Sequence, residues 1–191
     1  MTVGLSLAHQ PGTGPVGWTR LSLLAAATHS GYELGSGSGL PLVAVLGPYG
    51  GAAAWLTGTT ALWRVLGREP FPRRTAAVVN GAGLAGVVAH YTSWPSRRTA
   101  FGLPWLVTAE GLAPSRMRTY NGILYAWGAA SAVGAWRSPG SRTWALVGLA
   151  AAPLLARASH REFAWMRRRA ITSPAWWNRS PGVRPAGSAG R

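Results

Sequence analysis

Long uncharged runs alternate along the chain with short clusters of charge. No charged residue falls within 34–63, 75–96, 119–136 or 143–156, if His90 is taken as neutral. Wound as helices, runs near 20 residues match a bilayer core of roughly 30 Å. The pattern therefore predicts an all-α fold, a polytopic transmembrane helical bundle. Helices are expected over 17–34, 42–63, 75–94, 120–136 and 143–165. Gly47-Pro48 predicts a kink in the second of these, and the glycine-serine run 35–39 a flexible turn before it.

Segment 99–114 is short for a crossing and is broken by Pro104. Charge bias decides how to read it. With five crossings, arginine divides almost evenly between the two sides. With a sixth, broken crossing, Arg20, the 64–74 loop, Arg116, Arg118 and the tail gather on one side. The positive-inside rule assigns that side to the cytoplasm. The expectation is thus five to six segments, six being preferred, with both termini cytoplasmic in the inner (plasma) membrane. Residues 1–16 read as a flexible leader without a cleavable signal. Residues 17–170 read as the transmembrane domain, and 171–191 as a disordered basic tail.

Composition sharpens this picture. Only 12% of the 191 residues are charged, against about 25% in an average soluble domain. All 19 basic residues are arginine and all four acids are glutamate, for a net charge of +15. The absence of Lys and scarcity of Ile suit a GC-rich bacterial genome. Arginine at the ends of apolar runs suits anionic head groups rather than nucleic acid. The expected partners are a lipid bilayer and a hydrophobic small-molecule substrate, with no nucleic acid. With no Cys there is no thiolate chemistry. Without Lys there is no P-loop and no Schiff base, and without Asp no aspartate-rich diphosphate–magnesium motif. Seven tryptophans, from Trp18 to Trp176, fall at or near helix ends, as an interfacial belt would.

Ionisable groups inside apolar runs are costly and become the candidates for chemistry. His29 and Glu33 lie four apart on one helix face. The first and third segments run in the same direction, which places His29 and His90 toward the same end. Glu110 falls in the broken segment. These four are the expected catalytic residues. Trp55, Asn80, Tyr91, Trp105, Asn121, Tyr125 and Trp127 are the expected substrate-binding residues. Asn80 and Asn121 also suit interhelical hydrogen bonds, and Glu162 suits an ion pair with Arg157 and Arg161. His29 and Glu33 alone are too few to hold a metal, so no metal or cofactor is expected.

Buried glutamates hold protons near neutral pH, and aromatic faces stabilise cations. The design resembles that of the small integral-membrane terpene cyclases, with few helices, essential acids and no Asp-rich motif. That likeness implies an isoprenoid or lipid cyclase or isomerase working by acid catalysis. Two other readings fit the same residues. One is a small transporter, exporter or resistance protein built around the broken segment, expected as a homodimer. The other is a structural subunit of a membrane complex, with Gly81, Gly83, Gly86, Gly128 and Gly134 as contact faces.

Overall fold

A computed structural model describes residues 14–40, 42–138 and 142–179. Six α-helices account for most of them: α1 (Pro15–Ser36), α2 (Val43–Val65), α3 (Arg73–Ser93), α4 (Met117–Trp136), α5 (Arg142–Leu149) and α6 (Ala152–Thr172). Between α3 and α4 lies a small antiparallel hairpin of β1 (Ser96–Arg98) and β2 (Pro104–Leu106), with Ser96 opposite Leu106. Residues 1–13 of the expected leader and 180–191 of the expected tail lie outside the described residues, and the end of the leader is the start of α1.

Local chemistry sets the helix ends. Pro15 opens α1, where its missing N–H is no loss. Gly37 closes it in the left-handed region at φ 78°, its N–H bonded to the Leu34 carbonyl and that of Ser38 to the Glu33 carbonyl. The kink predicted in α2 is present: Gly47 sits at φ 71° and breaks the helix just before Pro48. Nothing on Leu42 caps α2. The carboxylate of Glu162, reaching across from α6, instead accepts the Ala44 N–H at 2.7 Å. Glu162 thus anchors a neighbouring helix rather than making the surface ion pair its sequence neighbours suggested.

α3 is the hub, packed against α1, α4, α5 and α6, while α1 and α4 form a second close pair. Small residues allow this. A Cβ on Gly81 would run into the Ala145 carbonyl of α5, and one on Gly148 into the Val78 carbonyl of α3. Gly86 lies under the Trp127 ring of α4. α2 is peripheral, and of its 23 residues only Val43 and Gly51 are buried. Gly81→Val is expected to destabilise the fold by about 2–3 kcal/mol through overpacking. In a chain of this size that lowers Tm by roughly 4–12 °C. Thermal unfolding followed by circular dichroism checks this, and an unchanged Tm contradicts the close backbone packing of α3 on α5.

The structure corrects the membrane reading. Among the described residues no helix is long and apolar enough to cross a membrane. A transmembrane bundle of five to six segments is therefore not supported. The uncharged runs misled because lack of charge is not apolar strength. They are filled with Gly, Ala, Ser and Thr, which offer little apolar area to transfer out of water. α3 carries Arg73, Arg74 and Asn80 among glycines and alanines. α6 carries Arg157, Arg161, Glu162 and Arg167 to Arg169. The expected helix over 143–165 is two helices, the first of only 8 residues. Segment 99–114, preferred as a sixth crossing, is hairpin and loop.

Candidate functional site

α1 carries His29 and Glu33 one turn apart, and both side chains point into the packed interior at 4% and 5% exposure. α3 brings His90 against them from the side. The loop after β2 brings Glu110, held at φ 49° and followed by Gly111 at φ 73°. Left-handed backbone at a non-glycine residue is strained and is typical of functional positions. The four expected catalytic residues are thus brought together, from two helices and a loop.

The distances are short. His29 Nε2 lies 3.1 Å from Glu33 Oε1. His90 Nε2 lies 3.7 Å from the same oxygen and 3.8 Å from Glu110 Oε1. The His90 Nδ1 N–H donates to the Gly86 carbonyl at 2.7 Å, which aims Nε2 at the two carboxyls. A fifth member was not expected. Tyr120, fully buried on α4, donates its hydroxyl to Glu33 Oε1 at 2.7 Å and lies 3.1 Å from His29 Nε2. The two imidazole rings meet edge to face, with centroids 4.7 Å apart.

Burial dominates the electrostatics. It pushes the Glu33 carboxyl up to about 7, against hydrogen bonds from Glu110 and Tyr120 that pull it down. Burial, and next the nearby Glu33 charge, hold Glu110 well above the usual carboxyl range, with His90 pulling the other way. Burial and then His90 keep His29 well below the ordinary imidazole value. Among the described residues no arginine lines the cavity that these groups border, so the two buried carboxyls have no lining side chain of fixed positive charge beside them.

His29, Glu33, His90 and Glu110 all face one cavity of about 450 Å³. Its other walls are largely apolar, with Leu23, Leu40, Leu62, Met166, Trp55 and Trp127 among them. Trp127 also packs on His29, ring centroids 5.3 Å apart. A concave apolar space with a few convergent polar groups is the usual form of a small-molecule site. Glu162 contributes a third carboxyl to the lining, and its Oε1 accepts the Ala44 N–H of α2.

Of the seven expected binding residues, only Trp55 and Trp127 line this cavity. Asn80 instead ties α3 to α1 through Thr19 Oγ1 at 2.9 Å. Asn121 grips β2: its amide oxygen accepts the Leu106 N–H, and its NH₂ donates to the Leu106 and Met117 carbonyls. Tyr91 stacks on Tyr125, and Tyr125 packs on Trp105 and donates to the Pro104 carbonyl. That aromatic group braces the hairpin.

No protein-family model, curated protein or solved structure matches the chain. The likeness of design to terpene cyclases therefore gains no support, nor does an isomerase.

Proposed function

We propose that the chain is an enzyme that takes an apolar small molecule into this cavity and transfers a proton at the molecule's polar end. The observation that carries the reading is the meeting of His29, Glu33, His90 and Glu110 at one wall of an otherwise apolar cavity. Structural polar groups in cores normally pair off and leave no room beside them. Here they border open space large enough for a small ligand.

The roles follow from the bonding. Glu33 is fixed by the Tyr120 hydroxyl and lies beside His29, and His90 is fixed by the Gly86 carbonyl. These three groups hold the polar end of the ligand. Glu110 has no hydrogen-bond partner outside the cluster among the described residues, and it is the carboxyl free to exchange a proton with the ligand. Leu, Met and Trp side chains exclude water and receive the apolar body.

Incubating the purified chain with an apolar metabolite extract tests this, with native mass spectrometry for retained molecules and chromatography for products. The wild type is expected to retain and convert a component. Ala26→Phe, which fills the cavity from α1, is expected to retain nothing while staying folded. If the wild type neither retains nor converts any component, the reading fails.

A further inference from the structure

We propose that His29, Glu33 and His90 together bind one divalent first-row transition-metal ion, of the zinc or iron(II) kind, at the wall of the cavity. This rests on the reading of the cavity as the site of action and specifies what holds the ligand's polar end.

Spacing is the first argument. Metal bonds of roughly 2.0–2.2 Å place neighbouring donors about 3.3 Å apart in a tetrahedral site. Here the donors are separated by 3.1 Å and 3.7 Å, and all three lie within 4.8 Å of one another. A small inward shift of side chains suffices to close the set on an ion. Spacing along α1 helps, because residues four apart share a face and present both donors to the same point.

Orientation is the second. The ring N–H of a metal-bound histidine is commonly held by a carbonyl, which leaves the other nitrogen to the metal. His90 has that arrangement, with Nδ1 on the Gly86 carbonyl and Nε2 toward Glu33. The Glu33 carboxylate has its own support in the Tyr120 hydroxyl, as ligating carboxylates generally do.

Charge is the third. Two carboxyls are buried with no arginine lining the space around them. An ionised carboxylate buried there lacks a cationic partner, which is costly, and a divalent cation on Glu33 would supply one. Two imidazoles and one carboxylate match zinc or iron(II), whereas calcium and magnesium favour all-oxygen sets. Three protein ligands beside a cavity leave an open position, the arrangement of catalytic rather than structural ions. Glu110 stays outside the three donors, near enough to act on whatever occupies that position.

The test uses cobalt(II) and zinc alone. Chelator-treated wild type is titrated with cobalt, and its visible d–d absorption and its Tm with zinc are recorded. A single cobalt ion per chain and a zinc-raised Tm are expected. Glu33→Gln and His90→Gln are expected to lose at least 100-fold in affinity, with circular dichroism confirming their fold. Tyr120→Phe is expected to lose roughly 10–100-fold, as a supporting group should, and Glu110→Gln no more than a few-fold. If the ligand variants fail to fold, Tyr120→Phe carries the test. Absence of cobalt bands in the wild type overturns the proposal, as does undiminished binding in the folded variants. Retention of apolar molecules by the same samples is read separately. Retention without cobalt binding removes the metal and leaves the cavity reading, and cobalt binding without retention does the reverse.

Discussion

Glu110→Gln is expected to lower turnover by roughly 100- to 10,000-fold, the usual contribution of a positioned proton-transfer group, while retention of the apolar ligand stays intact. Glutamine keeps the shape and size of the side chain but cannot exchange the proton. The loss should therefore fall on kcat rather than KM. Glu110→Gly provides the complementary result. The residue sits at φ 49°, a conformation that costs an ordinary side chain about 1–2 kcal/mol and glycine nothing. Glu110→Gly is thus expected to gain about 1 kcal/mol in stability and still lose turnover. A residue that is locally destabilising and yet required is strained for function and not for folding. Measuring turnover of the compound identified in the extract, beside urea unfolding of each variant, checks both halves. Full turnover by Glu110→Gln would remove Glu110 from the chemistry.

How the site was legible, and where it was not, follows from the distance over which sequence patterns act. His29 and Glu33 share a face because of the helical period alone, so their pairing could be read directly. The shared direction of α1 and α3 placed His90 toward the same end as His29. The 3.7 Å contact between His90 and Glu33 depends on how closely those helices pack, which Gly83 permits where it faces Ser22. Tyr120 escaped notice because it opened an expected helix and looked like a boundary residue. Its burial comes from the α1–α4 contact, which no local pattern encodes. A hint was available in its position beside Asn121, at a helix end where polar residues gather. Tyr91 is adjacent to His90 in sequence, but one residue turns the helix by about 100°, so it faces the hairpin and not the cavity. The membrane reading failed for a different reason. It counted missing charges and did not weigh how little apolar area Gly and Ala provide. Segment 99–114 failed with it, since two strands of 3 residues leave too short an alternation to detect.

Asn121→Ala is expected to be the most destabilising of the single polar substitutions, at roughly 3–5 kcal/mol. Asn121 and Leu106 are both fully buried. The amide makes a two-way bond with the Leu106 backbone, at 2.8 Å and 3.1 Å, and a third bond to Met117. Alanine leaves the buried N–H and carbonyl of Leu106 without their Asn121 partners, and each such group costs about 1–3 kcal/mol. The consequence reaches the site. Leu106 is the last residue of β2, and Glu110 follows four residues later on a loop that no further strand holds among the described residues. Ala109 and Leu112, which flank Glu110, are buried in the same cluster as Leu106 and Tyr120. Releasing β2 frees the loop that aims Glu110 at His90, whereas His29, Glu33 and Tyr120 stay on their helices. Asn121→Ala should therefore lose turnover even where enough folded protein remains, with metal affinity at His29, Glu33 and His90 changed far less. Asn121→Asp keeps an acceptor for the Leu106 N–H but sets a buried carboxyl oxygen against the Leu106 and Met117 carbonyls, so it should not recover wild-type stability. Denaturant unfolding, turnover and cobalt binding on the three proteins separate these effects. If Asn121→Ala matched the wild type in stability, the clamp on β2 would have no energetic weight, and Glu110 would need another support.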